Sequence, residues 1–297
     1  MAATSPYEAL LRRVPVREHR TDVLGTSTAW WEYGDPDART TIVLVHGFRG
    51  DHHGLEPVVA HLRGYRLLAP DLPGFGASGP LESTHDIAGY SRWLRAFTAE
   101  VAPGGGAVVL GHSFGSIVSA AAIADGLETP ALILVNPIAA PALAGPRGVL
   151  TRLAVFYYWA ASVLPEGIGF GILRNPLIVR IMSEAMAKTR EPALRSWIHG
   201  QHRLYFSRFA SRRVVLEAFR ASVSTDVSMV ARRIAVPTLL VAAERDDITP
   251  VAAQYRLKEL FGDAELVVIP GVGHLIHYEV PEAAAGSIDA FLLRRAG

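Results

Sequence analysis

The chain has 297 residues, half of them hydrophobic, with 29 basic and 28 acidic side chains and no cysteine. That length and apolar content suit one large catalytic domain carrying an insert, and a net charge of +1 gives no ground for expecting a nucleic-acid or membrane partner. The missing thiols exclude disulfides, cysteine nucleophiles and cysteine metal sites, leaving a small-molecule substrate as the expected partner and the oligomeric state open.

Residues 1–14 contain Glu8, Arg12 and Arg13 and lack an apolar run long enough for secretion, so a cytoplasmic location is expected. Residues 16–18 and 27–33 read as an opening antiparallel strand pair, and Gly34-Asp35-Pro36-Asp37 turns the chain into an apolar strand at 42–45. Residues 55–62 suit a covering helix and 65–69 the next strand. Over 85–101, Ile87, Tyr90, Leu94 and Phe97 recur at three- and four-residue steps, the period of an amphipathic helix. Gly104-Gly105-Gly106 is a loop before a buried strand at 107–110, and 131–135 is another strand. The alternation breaks after Asn136-Pro137 and resumes near Ala235-Val236-Pro237. Between them lie roughly a hundred residues with helical spacing, aromatic clusters and breakers at Pro165, Gly167, Gly169, Gly171 and Pro176. The most apolar stretch there, 149–164, carries Arg152 and stops at Pro165, too short to span a bilayer. Strands at 238–243 and 265–269 restore the rhythm. The fold class expected is α/β, a mostly parallel sheet wrapped by helices.

The chemistry concentrates at three strand ends. Gly111-His112-Ser113-Phe114-Gly115 lies between a buried strand and the small-residue run 116–122, the strand–turn–helix setting of a nucleophile elbow. A serine there can serve merely as a helix cap, but the two glycines and both flanks favour a nucleophile. Such a hydroxyl needs a base, and the base needs an orienting group. Asp246 and Asp247 follow the strand at 238–243, and His274 follows the one at 265–269. The order is Ser, Asp, His, and the carboxyl ends of parallel strands share one edge of a sheet. His52-His53 sit at adjacent positions ill suited to one metal, and no His-Glu-x-x-His spacing occurs, so no metal is expected. Residues 74–79 match Gly-x-Gly-x-x-Gly, but they stand between Pro73 and Pro80 and open no helix, which argues against a dinucleotide site.

These motifs resemble the α/β-hydrolase superfamily, in its serine-nucleophile branch with a helical cap. His46-Gly47-Phe48-Arg49-Gly50 resembles the family's oxyanion loop, Asp71-Leu72-Pro73-Gly74-Phe75-Gly76-Ala77-Ser78-Gly79 its loop after the next strand, and Gly273-His274 with Tyr278-Glu279-Val280-Pro281-Glu282 its histidine loop and closing helix. The resemblance implies a core of 1–136 and 233–297 with a cap at 137–232, and a triad without cofactor. It places the acid four residues before Pro250, which selects Asp246 over Asp247. It also implies an oxyanion hole from the main-chain N–H groups of Phe48 and Phe114. Serine in the elbow departs from the carboxylate nucleophile of haloalkane dehalogenases and epoxide hydrolases. The leading expectation is hydrolysis of a carboxylic ester with a small or medium acyl group. Carbon–carbon cleavage of an anionic keto-acid and a non-catalytic ligand receptor are the alternatives.

Residues 137–232 hold thirteen basic residues against five acidic ones, near +8, with the remainder near −7. A cationic roof would favour anionic substrates. On that basis Arg174, Arg203 and Arg208, with Arg49, His112, Tyr157 and Trp159, are candidates to line the substrate pocket.

Overall fold

A computed structural model describes residues 5–140 and 148–295. A short helix α1 (Glu8–Leu11) precedes an antiparallel ribbon of β1 (Val16–Val23) and β2 (Thr26–Gly34), whose two-residue turn, Leu24-Gly25, has positive φ at both positions. That turn lets β1 run five residues beyond its expected end. Then come β3 (Thr41–Val45), α2 (Glu56–Val59), β4 (Arg66–Pro70), α3 (Ile87–Val101), β5 (Val108–His112), α4 (Phe114–Ala124) and β6 (Leu132–Val135). The covering helix expected at 55–62 is thus a single turn.

Five inserted helices follow among the described residues: α5 (Gly148–Val163), α6 (Glu166–Leu173), α7 (Pro176–Met186), α8 (Pro192–Tyr205) and α9 (Arg212–Ser224). The chain then closes through β7 (Thr238–Ala243), α10 (Val251–Lys258), β8 (Ala264–Ile269), α11 (Ile276–Glu279) and α12 (Pro281–Arg295). No described helix is long and apolar enough to cross a membrane.

The eight strands form one sheet in the order β1-β2-β4-β3-β5-β6-β7-β8, parallel except where β2 pairs with β1 and β4. Side chains alternate across it. Val43, Val45, Val109 and Leu134 pack with residues of α3 and α4, while Ile42, Leu44, Leu110 and Ile133 pack with α2 and α12 on the other face. From β3 the chain passes to one side for β4 and to the other for β5. The carboxyl ends of β3 and β5 therefore flank a topological switch point, where a crevice opens.

The insert is also tied to the sheet. Ala210 N–H donates to the Gly74 carbonyl and Gly76 N–H to the Arg208 carbonyl, each at 2.8 Å, with Phe75 and Phe209 forming an antiparallel bridge. Residues 74–79, the glycine pattern noted above, close on themselves through Gly74 N–H to Gly79 O at 2.8 Å and start no helix.

Candidate active site

Ser113 sits alone between β5 and α4 with φ 53° and ψ −116°, a conformation that costs a side-chain-bearing residue about 1–3 kcal/mol. The flanking glycines are required sterically. A Cβ at Gly115 would stand 2.1 Å from the Val45 carbonyl oxygen, and one at Gly111 would stand 2.4 Å from the Gly115 oxygen. The start of α4 can approach both β3 and β5 this closely only without side chains there.

The loops after β7 and β8 bring two further groups to this point. Ser113 Oγ lies 2.8 Å from His274 Nε2, and His274 Nδ1 lies 2.7 Å from Asp246 Oδ2. A carboxylate only accepts, so Nδ1 carries the proton and Nε2 is left to accept from the serine hydroxyl. Asp246 is itself held: its Oδ1 accepts from Ile248 N (2.7 Å) and Thr249 N (3.0 Å), and its Oδ2 from Asn136 Nδ2 (2.9 Å). Burial opposes its ionisation. The His274 imidazole and these donors outweigh that and hold its carboxyl below the usual carboxylate range. Asp247, by contrast, forms an ion pair with Lys188.

The loop after β3 carries a second device. His46 Nδ1 donates to the Gly47 carbonyl and Nε2 accepts from Leu72 N–H, each at 2.8 Å, which together define one neutral tautomer. Burial lowers the His46 pKa and keeps it in that form. The Gly47–Phe48 peptide is trans, so its N–H points opposite to the carbonyl that His46 holds. Gly47 also packs close to the elbow, since a Cβ there would lie 3.3 Å from Ser113 Cβ. Phe114 is the first residue of α4, and its N–H is one of the helix donors without an intrahelical acceptor.

A cavity of about 360 Å³ opens over these groups. Phe48, Phe114, Ile138, Tyr158, Met186 and Phe219 give it a mainly apolar wall, and His112, His202 and His277 also reach it. His112 is buried, with its ring centroid 4.0 Å from that of His277; burial and the nearby His274 push its pKa down to about 3. It therefore lines the site as a neutral ring.

The other pocket candidates lie elsewhere. Arg49 is fully buried and turned away: Nε donates to Phe206 O (3.0 Å), Nη1 to the Tyr158 hydroxyl (3.1 Å) and Nη2 to Leu173 O (2.6 Å), with the rings of Phe206 and Phe209 alongside. Its role is to fasten the loop after β3 to the inserted helices. Tyr157 donates to Ile172 O and stands one position from the wall residue Tyr158. Trp159 is exposed to solvent. Arg174, Arg203 and Arg208 are exposed too, with Arg174 over Phe170 and Arg208 over Tyr205. Arginine prefers to leave its charged head in water and lay its stem on apolar neighbours. Among the described residues, the basic side chain that does reach the cavity, besides the histidines, is Lys188.

Four contributors carry no sequence-based role: His46, Asn136, Lys188 and His277. Asn136 has positive φ at the end of β6, and a polar residue closing a buried strand is its one sequence signal. His52 and His53, together with Asp51, place one ligand atom of each residue within 4.8 Å of the others. His52 Nδ1 donates to Asp71 Oδ1 (2.8 Å) and His53 Nδ1 to Asp51 Oδ1 (3.0 Å), so both rings serve as donors to carboxylates in this arrangement.

Comparison with known proteins adds four observations. The family model described as the alpha/beta hydrolase family matches residues 42–286. Lipase 3 of Moraxella sp. (strain TA144) is 24% identical over 259 residues, covering 84% of this chain and 76% of the lipase. The 2-hydroxy-6-oxo-6-(2'-aminophenyl)hexa-2,4-dienoic acid hydrolase of Metapseudomonas resinovorans is 26% identical over 289 residues, covering 92% of this chain and 89% of that enzyme. Among solved structures, an esterase from Exiguobacterium antarcticum superposes with a TM-score of 0.76 at 17% identity, over 93% of this chain and 100% of its own.

Proposed function

The chain belongs to the alpha/beta hydrolase family, and from that premise we propose that it hydrolyses carboxylic esters with apolar acyl groups, residues 137–232 serving as the cap. The observation that carries this reading is the hydrogen-bonded chain Asp246–His274–Ser113 opening on a mainly apolar cavity. The likeness to Lipase 3 agrees with it.

In the reaction His274 Nε2 takes the Ser113 proton as Oγ attacks the ester carbonyl carbon. The resulting oxyanion accepts from the main-chain N–H groups of Phe48 and Phe114, each such donor typically worth roughly 3 kcal/mol of transition-state stabilisation. Asp246 keeps the imidazole in its Nδ1–H tautomer and stabilises the imidazolium. That imidazolium protonates the departing alcohol, leaving an acyl group on Ser113. Water then attacks the acyl-enzyme, giving its proton to His274, and collapse returns the proton to Ser113 as the acid leaves.

Carbon–carbon cleavage of a keto-acid is the second reading. The Metapseudomonas relative supports it, and Lys188 is a cation at the wall that a substrate carboxylate would share with Asp247. A panel of neutral esters, carboxylate-bearing esters and vinylogous keto-acids, run on the wild type and Ser113→Ala, tests both. Ester turnover that falls by about three orders of magnitude or more in the folded variant supports ester hydrolysis. Turnover of the keto-acids alone transfers the triad to the second reading, and a ligand-induced melting shift without any turnover would point to a receptor.

A further inference from the structure

Helix α5 is apolar on both faces. Ala154, Tyr158 and Ala161 turn inward, the first two lining the cavity, while Phe156, Trp159 and Val163 on the opposite face are 56–60% exposed. These three recur with Arg152 at i, i+4, i+7 and i+11 from that arginine, which places all four on one stripe roughly 16 Å long. A helix hydrophobic all round is ordinarily buried. This one leaves a phenylalanine and a tryptophan in water, and it contains no acidic residue. The surrounding insert carries the +8 charge noted above, with Arg152, Arg174, Arg203 and Arg208 all exposed.

We propose that the outer face of α5 docks the protein peripherally onto an anionic phospholipid surface. Aromatic and aliphatic side chains would enter the headgroup boundary while arginines meet the lipid phosphates, the division of labour of an interfacial helix. Charge selects this occupant: a second copy would set two strongly basic inserts against each other, whereas anionic lipid neutralises them. The inner face of the same helix walls the cavity, so a lipid acyl ester drawn from that surface reaches Ser113 past α5. This last step rests on the ester-hydrolase reading; the docking itself does not.

The test is co-sedimentation of the purified protein with phosphatidylcholine vesicles, with and without phosphatidylglycerol, at low and high salt. Hydrolysis of a water-soluble nitrophenyl ester is followed in the same samples. The wild type is expected on the phosphatidylglycerol vesicles and to be released by salt. Phe156→Ser combined with Trp159→Ser should weaken partitioning by about tenfold or more, and Arg152→Gln by several-fold on the anionic vesicles alone, with soluble-ester turnover unchanged in both. Absence of wild-type binding, or equal binding by the double variant, overturns the proposal. So does a wild-type dimer that the double variant converts to monomer, because the stripe is then an interface between copies. Binding as expected without soluble-ester turnover leaves docking intact and removes the ester reading instead.

Discussion

Replacing Arg49 by lysine separates a substrate contact from a structural fastening. The guanidinium makes three hydrogen bonds, to Phe206 O, Tyr158 Oη and Leu173 O, which diverge from one planar group. An ammonium on a flexible stem can satisfy about one of them and loses the flat stacking between Phe206 and Phe209. At about 1.5–3 kcal/mol for each hydrogen bond to a charged donor, two lost bonds amount to roughly 3–6 kcal/mol. A loss of about 4 kcal/mol lowers Tm by roughly 5–8 °C in a protein of this size. Arg49 follows Phe48 and has φ 62°, so loosening it also moves the N–H assigned to the oxyanion. The expected kinetic signature is a roughly tenfold to hundredfold fall in kcat with KM little changed. Circular dichroism melting with initial rates on a neutral ester and its carboxylate-bearing analogue measures both. An unchanged Tm together with a KM increase confined to the carboxylate ester would refute this reasoning and return the guanidinium to the substrate.

Asp246→Asn should reduce kcat by about three to four orders of magnitude, whereas Asp247→Asn should change initial rates by only a few-fold, because its carboxylate pairs with Lys188 rather than the imidazole; the reverse ranking would move the acid to Asp247. Stability should fall between pH 7 and pH 5: burial, with a neighbouring imidazole, holds His112 and His202 near a pKa of about 3, while in the unfolded chain they titrate near 6.5. The unfolded state then binds more protons between those values, so unfolding free energy rises with pH there by about 1.4 kcal/mol per unit for each histidine. Urea midpoints across that range should slope less in His202→Gln; parallel curves would count against the assignment. Neutralising the exposed arginines by Arg174→Gln, Arg203→Gln or Arg208→Gln should leave kcat/KM for soluble neutral and carboxylate-bearing esters within about twofold, since charges in water and away from the cavity are screened; a selective loss for the anionic ester would bring one of them back to the cavity.

What the sequence disclosed follows from the range of the forces involved. The elbow is legible because its motif is contiguous: Gly111 is needed where β5 nearly touches α4, the two elements that flank it in the chain, and Gly115 stands beside it although the group it makes room for, the Val45 carbonyl, belongs to β3. The strands are legible because apolar runs such as 42–45 and 238–243 are buried on both sides. Side-chain direction in the insert is another matter. α5 has apolar residues around its whole circumference, so periodicity distinguishes Tyr158 at the wall from Trp159 in water only once the helix is packed. Arg49 was equally opaque, since a lone arginine beside an oxyanion loop carries no mark of three acceptors on residues 158, 173 and 206. His46 opens the 46–50 loop motif, yet its part depends on Leu72, which comes from a different strand connection.

The main-chain ties between residues 74–76 and 208–210 bear on how this chain can be rearranged. Continuous in sequence, residues 137–232 look like a module that could be exchanged for another while the sheet is kept. Removing them strands the Gly74 carbonyl and the Gly76 N–H, and deletes the Phe206 and Leu173 carbonyls that satisfy Arg49. Each buried polar group left without a partner costs about 1–3 kcal/mol. The unit that can be transplanted therefore has three separated pieces, the 46–50 loop, the 72–79 loop and the helices themselves, and a chimera that exchanges only the last inherits unmatched main-chain groups at its seam.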